Sequence, residues 1–316
     1  FISHIPKTNN KSNSLEQSTT AVISELAWRD FYALCKPKIV AMIVFTAIVG
    51  MFLSTPGMIP IDAFLFGSLG IGLAAASAAA INHIVDEKID SMMARTNSRP
   101  LPKGKLSIYS AIIFALCLSV LSLLVLTVFV NMLTAVLTMV SLVGYGFVYS
   151  MYLKRATPQN IVIGGGAGAA PPVLGWTAIT GSLDPSSLLL FLIIFAWTPP
   201  HFWALAIYRR KEYAKANIPM LPVTHGVKFT SLHILLYTIV LFIASLLPYI
   251  TLMSGPVYLV GALVLGIWFL YYAVKMQTDS SDELAMRTFS FSIVYLLALF
   301  AFLLADHYVP VVLGFS

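Results

Sequence analysis

The chain has 316 residues, of which 59% are hydrophobic and 10% are charged. Soluble domains carry about 25% charged residues, so this composition excludes an ordinary soluble fold and indicates a polytopic membrane protein. Two cysteines, Cys35 and Cys117, are too few for the disulfide framework of a secreted scaffold. The formal net charge of +6 is compatible with nucleic-acid binding, but the placement of the basic residues favours a different explanation.

The chain divides into a polar tail and one apolar domain. Residues 1–20 are polar, aperiodic and without the apolar centre of a signal peptide, and we expect residues 1–27 to form a disordered cytoplasmic tail. Residues 28–316 are expected to form a single transmembrane domain, because a bilayer-crossing helix needs about 20 apolar residues and nine such spans follow. The fold class is therefore all-α, a polytopic integral membrane bundle of about nine transmembrane helices. The predicted spans are 38–54, 63–83, 107–130, 132–152, 161–181, 187–208, 231–253, 256–275 and 288–308.

The basic residues test this division. All 19 Lys and Arg residues lie before the first span or in the connections that follow spans two, four, six and eight. The alternate connections and the C-terminal segment contain none. By the positive-inside rule, the N-terminus is cytoplasmic and the C-terminus lies outside. The net charge is thus explained by topology, and no nucleic-acid partner is expected.

Two inner connections are longer than simple turns require. Residues 84–106 and 209–230 each exceed 20 residues, whereas the outer connections are short. Long ordered loops carry function more often than short ones. We therefore expect these two cytoplasmic loops to carry the functional site.

The first long connection begins with an acidic helix face. Asn82, Asp86 and Asp90 recur at i, i+4 and i+8, so they share one face of a helix. Two carboxylates and an amide oxygen directed to one point are ligands that suit Mg²⁺. The cations Arg95 and Arg99 follow, which indicates a bound anion such as a diphosphate. The alternative is a solvated helix end with ordinary surface charges.

Further basic residues lie at the same membrane boundary. Lys154 and Arg155 follow span four, and they are candidates to bind phosphate oxygens. Their alternative role is only to fix the topology. Lys36 at the start of span one, and Arg209 and Lys211 after span six, can add to the same cationic surface.

Span six ends with a second group of polar residues. Pro199 and Pro200 are expected to break this span inside the membrane, and His201 follows them directly. An ionisable residue inside a membrane is a functional candidate by default, although a histidine hydrogen-bonded within the bundle is an equal alternative. Tyr208 and Glu212 lie one helical turn apart and are candidate catalytic residues. With one carboxylate, they form a weaker metal site than the first group.

Three segments resemble a known family. They read NHIVDEKIDSMMARTNSRPLP, YSMYLKRATPQNIVIGG and PPHFWALAIYRRKEYAKANIPMLPV. Together they resemble the UbiA-type intramembrane prenyltransferases, and specifically the branch of the protohaem IX farnesyltransferases, which make haem O. The resemblance covers roughly residues 27–308. The Asn-Asp-Asp motif of the first segment is shared across the superfamily, and stretches of the other two segments point to the haem branch.

The resemblance implies a fold, a reaction and roles for residues. It implies nine helices around a central cavity, and transfer of the farnesyl group of farnesyl diphosphate to a vinyl group of haem b. Mg²⁺ as cofactor would bind at the face of Asn82, Asp86 and Asp90, and His201 and His83 are candidates to contact the haem. Many members carry a second DxxxD motif where this chain has Tyr208 and Glu212. The residues implied to steady the diphosphate are Arg95, Arg99, Lys154 and Arg155.

The resemblance also implies a location and leaves two alternatives. It implies a bacterial inner membrane, with a later haem-modifying enzyme or a terminal oxidase assembly as a further partner. One alternative is an aromatic-acid polyprenyltransferase of quinone biosynthesis. The other is a membrane transporter, because polar inner loops and broken helices also occur in that class.

Overall fold

The computed structural model describes residues 28–93 and 96–312, with the side chains of all of these except 155 and 309–312. The predicted tail at 1–27 and the candidate Arg95 lie outside the described residues. The described residues form helices and no strands. The elements in chain order are α1 (Trp28–Leu34), α2 (Pro37–Leu53), α3 (Ile61–Met92), α4 (Ile108–Phe129), α5 (Met132–Val143), a π-helix (Gly144–Leu153), α6 (Lys154–Ala156), α7 (Asn160–Ala169), α8 (Pro171–Thr180), α9 (Pro185–Tyr208), α10 (Arg210–Lys215), α11 (Leu221–Thr224), α12 (Gly226–Ile250), α13 (Pro256–Thr278) and α14 (Asp282–Val312).

The predicted number of spans is confirmed. Within the described ranges, eight helical segments are long and apolar enough to cross a membrane. The bent pair α1 and α2, which meet at 51°, makes a ninth if it is counted as one span. This is an integral, multi-pass membrane protein with an all-α fold.

Local sequence explains where several helices begin. Asn131 accepts a hydrogen bond from the backbone N–H of Thr134 at 2.8 Å and so caps α5. Asp184 accepts from the N–H of Ser186 at 2.7 Å at the start of α9. Such side chains satisfy N–H groups that have no partner within the helix.

Three helices extend further than the apolar runs indicated. The helix α3 continues to Met92, nine residues past the predicted end at 83, so the first part of the loop 84–106 is helical. The helices α12 and α14 begin at Gly226 and Asp282, earlier than predicted. Hydropathy marks only the part of a helix inside hydrocarbon, and charged turns outside it go undetected.

The prediction that Pro199 and Pro200 break span six is wrong. The helix α9 runs without interruption from Pro185 to Tyr208 and contains both prolines. Next to them, the Thr198 hydroxyl donates to the Ile194 carbonyl at 2.8 Å. Prolines are tolerated inside membrane helices because neighbouring helices and polar side chains can satisfy the backbone groups that lose their hydrogen bonds.

Close helix packing depends on small residues. At the crossing of α2 and α8, a Cβ atom on Gly175 would lie 1.8 Å from the Ala47 carbonyl oxygen, and one on Gly50 would lie 2.1 Å from that of Pro172. Because lipid is as apolar as the helices, close van der Waals packing and hydrogen bonds replace the hydrophobic effect as the association force. The two backbones therefore touch directly.

A carboxylate joins two helices at the end of the bundle opposite the acidic face. Asp306 of α14 accepts hydrogen bonds from the Ser254 hydroxyl at 2.9 Å and from the N–H groups of Gly255, Val257 and Tyr258. These N–H groups belong to the start of α13, where a negative charge is stabilised by the helix dipole. Asp306 thus fixes α13 to α14.

Candidate active site

The acidic face predicted on α3 lies inside the protein. Asn82, Asp86 and Asp90 all belong to α3, and each is at most 5% exposed. The Asn82 side-chain N–H donates to Oδ2 of Asp86 at 3.0 Å, which places both side chains on the same face. Burying two carboxylates in one helix is costly unless cations or other donors compensate them.

Two lysines from distant parts of the chain supply part of that compensation. The Lys154 ammonium lies 2.6 Å from Oδ2 of Asp86, and Lys36 donates a hydrogen bond to Oδ1 of Asn82. Lys36 lies between α1 and α2 and has a left-handed backbone, with φ of 49°. This conformation is unfavourable for a residue with a Cβ atom and is found at functional sites.

The π-helix brings a further residue to the site. Ser150 is fully buried, and its hydroxyl oxygen lies 3.1 Å from the donating Asn82 amide nitrogen. The same hydroxyl donates to the Tyr145 carbonyl at 2.9 Å. Wider turns of this kind inside α-helices occur often at functional sites. The π-helix contains Ser150 and directly precedes Lys154, so it positions both of these residues against α3.

The turn after α3 neutralises the second carboxylate. Arg99 donates to Oδ2 of Asp90 at 2.5 Å. The buried Thr96 hydroxyl donates to the backbone carbonyl of Asp90 at 3.0 Å and fixes the turn. The predicted grouping of Asp90 with Arg99 thus appears as a direct ion pair.

The donor set fits a magnesium ion that is bound partly by protein side chains and partly by phosphate oxygens of a substrate. Oδ1 of Asp86 is buried and has no hydrogen-bond partner among the described residues, so this oxygen can take a cation. No cluster of three or more His, Cys, Asp or Glu side chains able to hold a metal occurs in the described part of the chain. Asn82, Asp86 and Asp90 therefore offer only part of a coordination shell, as Mg²⁺ sites that also use substrate phosphate oxygens do.

The candidates after span six form a separate group. The Arg209 guanidinium lies 3.4 Å from a Glu212 carboxylate oxygen and 5.9 Å from the centre of the Tyr208 ring. Lys211 is exposed. Among the described residues, this group makes no direct hydrogen bond or ion pair with Asp86.

A shared core nevertheless brings the two loops together. Ile89 and Met93, from the end of α3 and just after it, pack in one cluster with Ile218 and Met220, which follow α10. Tyr213 of α10 packs against the same cluster. The loop 209–230 thus lies beside the end of the acidic helix.

The two candidate histidines have different surroundings. His83 is 3% exposed, and its Nδ1 atom is buried without a partner among the described residues. His201 is bonded through Nδ1 to the Ser292 hydroxyl at 2.7 Å. The side chain of Arg155 lies outside the described residues.

Sequence reasoning missed Ser150, Thr96 and Ser292. Ser150 lies four residues before Lys154, a helical spacing that is a weak signal at best. Ser292 lies in an apolar span with no local pattern that distinguishes it from other serines. Ser150 and Ser292 contact Asn82 and His201, which lie far from them in the sequence, so the sequence alone does not reveal these contacts.

Comparison with known proteins identifies the family. Residues 43–308 match the model of the UbiA prenyltransferase family. The chain belongs to this family. It is therefore an intramembrane prenyltransferase, as the sequence motifs indicated.

Among the UbiA relatives, several bacterial proteins match over almost their whole length. The chain is 60% identical to the protoheme IX farnesyltransferase of Methylococcus capsulatus over 90% of this chain and 95% of the relative. It is 57% identical to the protein of that name from Hahella chejuensis, over 94% of this chain and all of the relative. These relatives do not favour the alternatives of a quinone-pathway enzyme or a transporter.

Solved UbiA structures have the same fold. A structure described as digeranylgeranylglyceryl phosphate synthase matches with a TM-score of 0.77 and 21% identity, over 89% of this chain and 98% of that one. A UbiA homologue from Archaeoglobus fulgidus bound to DMAPP and Mg²⁺ matches with a TM-score of 0.59 and 17% identity, over 87% and 99%. At these identities the comparison confirms the fold.

Proposed function

We propose that this prenyltransferase transfers the farnesyl group of farnesyl diphosphate to a vinyl group of haem b, with water, giving haem O and diphosphate. The observation that carries the reaction class is the buried acidic face of α3, enclosed by Lys36, Arg99 and Lys154. The choice of haem b and of a farnesyl group is supported by the similarity to protoheme IX farnesyltransferases, which are 55–61% identical to this chain.

The basic side chains hold and then stabilise the leaving group. Departure of diphosphate concentrates negative charge, and preorganised cations lower the barrier by stabilising that charge as it develops. Lys36, Arg99 and Lys154 are already fixed by partners, so they need little reorganisation. Asn82, Asp86 and Asp90 would hold Mg²⁺, which supplies Lewis-acid charge to the diphosphate when bound.

Other basic residues extend this surface. Arg95 and Arg155 are assigned to the diphosphate because they adjoin Arg99 and Lys154 in the chain. We assign Arg209 and Lys211, with Tyr208 and Glu212, to the opposite side of the same site. These last four are supported by the shared core that places loop 209–230 beside α3.

The bundle also has to protect the allylic cation from early reaction with water. The carboxylates lie near the end of α3 proposed to be cytoplasmic, and most of the remaining length of this helix is apolar. A farnesyl chain extending from the diphosphate into the bundle is therefore surrounded by hydrocarbon, which excludes water. His83 and His201 are assigned to contact with the haem.

The proposed location follows from charge. The placement of all 19 basic residues supports a cytoplasmic N-terminus and an outer C-terminus in the bacterial inner membrane. A site at the inner ends of α3 and α9 then faces the compartment that supplies water-soluble prenyl diphosphates. A later haem-modifying enzyme or an oxidase assembly is the proposed partner that takes up the product.

The test is conversion of haem by purified protein. With haem b, farnesyl diphosphate and Mg²⁺ under reducing conditions, we expect a haem whose mass has increased by one farnesyl group and one hydroxyl group. Asp86→Asn should lower kcat by at least about 100-fold. The Mg²⁺ ion proposed to stabilise the negative charge of the leaving diphosphate would lose a carboxylate ligand. Glu87→Gln, one residue along the same helix, is the matched control and should retain activity. Folded wild-type protein that converts no haem would overturn the proposal.

A further inference from the structure

His201 is held in a fixed orientation inside the bundle. The residue is 8% exposed. Its ring stacks on that of Trp197, with a centroid distance of 4.1 Å and an interplanar angle of 21°, and contacts the tilted ring of Phe289 at 4.6 Å and 30°. Trp197 lies one turn earlier on α9, whereas Phe289 belongs to α14. Contacts from two helices therefore restrict rotation of the imidazole.

Hydrogen bonding at Ser292 determines which nitrogen of His201 carries the proton. A serine hydroxyl has one hydrogen, and the Ser292 hydroxyl lies 2.6 Å from the Phe289 carbonyl, to which it donates. Its contact of 2.7 Å with Nδ1 of His201 is therefore one in which Nδ1–H donates. The neutral ring then has its lone pair on Nε2. Among the described residues, Nε2 of His201 makes no hydrogen bond.

Ser292 fixes the aromatic neighbour as well. Its backbone carbonyl accepts a hydrogen bond from Nε1 of Trp197 at 2.7 Å. One residue of α14 thus orients both the imidazole and the indole ring packed on it. Histidines that bind metals show the same arrangement, because they donate the remote ring N–H to a fixed oxygen and direct the other nitrogen at the metal.

The depth of His201 in the bundle matches that of the acidic face. It lies seven residues before the end of α9, a rise of about 10 Å, and Asp86 lies six residues before the end of α3, about 9 Å. The ends of both helices contribute to one hydrophobic cluster, which includes Ile89 of α3 and Trp203 of α9. A ligand held at Nε2 therefore lies at the level where the prenyl diphosphate is bound.

These contacts point to one role for the residue. We propose that Nε2 of His201 is an axial ligand of the iron of the haem substrate, and that Ser292 is a positioning residue that sets the tautomer. This inference rests on the proposed function, since it takes haem b as the substrate. The iron–imidazole bond would hold the porphyrin at the depth of the diphosphate and leave its vinyl groups free to react.

Two other histidines allow a discriminating test. His233 of α12 also bonds through Nδ1, to the Phe229 carbonyl at 2.9 Å, but it lies near the more exposed start of its helix. His83 has a buried Nδ1 with no partner among the described residues. His233 is thus a matched control with an oriented ring, and His83 is the competing candidate for the ligand of the haem iron.

The experiment is a titration of the full-length protein in nanodiscs with haem b, without farnesyl diphosphate, followed by absorption and electron paramagnetic resonance. We expect His201→Ala to lose the axial-imidazole spectrum, to bind haem b at least tenfold more weakly, and to regain the spectrum on addition of imidazole. Ser292→Ala should weaken haem binding by about tenfold. His233→Ala should behave as wild type.

Several results would overturn the inference. One is an unchanged haem spectrum in folded His201→Ala, and another is loss of the spectrum in His83→Ala instead. If His201→Ala does not fold, wild-type protein labelled with ¹⁵N-histidine answers the question, since absence of nitrogen coupling to the haem iron excludes any histidine ligand. Wild type that farnesylates haem but lacks the imidazole signature refutes the ligand alone, whereas wild type that neither binds nor converts haem refutes the proposed function too.

Discussion

At the scale of single residues, the site is a set of charges that depend on one another. Oδ2 of Asp86 has two donors, Lys154 and Asn82, whereas Oδ1 has none among the described residues. Removing one partner of a buried ion pair leaves the other charge uncompensated, which costs more than the pair contributes when intact. Each basic residue of the cluster therefore supports both the fold and the proposed chemistry.

Lys154→Gln tests this dependence. We expect kcat to fall by about 100-fold, because a cation that stabilises the leaving diphosphate is lost, and the melting temperature to fall because Asp86 loses its ion pair. Haem-conversion assays and thermal unfolding measure the two effects. Lys38→Gln, at an exposed position of α2, is the control and should change neither. Wild-type kcat in Lys154→Gln would show that this lysine serves topology alone.

The residues of the site differ in how far the sequence revealed them. The common face of Asn82, Asp86 and Asp90 could be predicted because helical spacing is a local property of the chain. The pairing of Asp86 with Lys154, and of Asn82 with Ser150, depends on how α3 meets the π-helix. Such contacts are set by tertiary packing, and no spacing in the sequence encodes them.

At the scale of elements, apolar runs located every span, but they did not define the helices completely. Charged turns continue α3 to Met92, beyond the apolar run from which the span was predicted. The π-helix at Gly144–Leu153 was not predicted, because a changed hydrogen-bond pattern leaves composition unaffected. Pro199 and Pro200 were expected to break a helix that in fact continues, since the membrane favours every remaining backbone hydrogen bond.

Gly175→Ala tests the crossing of α2 and α8. The added methyl group would meet the Ala47 carbonyl oxygen, so the helices must separate. We expect a loss of about 1–3 kcal/mol in unfolding free energy, the usual cost of overpacking, measured by unfolding in mild detergent. At Gly168 of α7, a Cβ atom meets nothing within 4 Å, so Gly168→Ala is the control and should not destabilise. Equal stability of both variants would contradict close backbone contact at the crossing.

At the scale of the whole molecule, charge distinguishes the two ends of the bundle. The described basic residues and Asp86 and Asp90 of α3 lie at one end, while Asp306 contacts the start of α13 at the other. The sequence predicted this polarity because retention of positive charge on the cytoplasmic side acts on short loops. Which loops touch one another could not be predicted in the same way.

Cysteine labelling tests the proposed orientation. In a variant with Cys35 and Cys117 replaced by serine, a new cysteine at Met58 or Leu252, which are 95% and 90% exposed, should react with an impermeant maleimide in intact bacterial cells. Lys103→Cys, in the opposite set of loops, should react only after the membrane is opened. Labelling of Lys103→Cys in intact cells would show that the orientation is opposite to the proposed one.

The cluster around Asp86 also bears on how fast the enzyme can turn over. Lys36, Arg99 and Lys154 outnumber the two carboxylates by one positive charge. Free diphosphate has one more ionisable oxygen than its farnesyl ester, so these cations attract the released product at least as strongly as the substrate. The arrangement of cations that favours cleavage of the bond to diphosphate therefore slows release of the diphosphate product. Product release, which limits many enzymes, is accordingly the step that this cation-rich site slows.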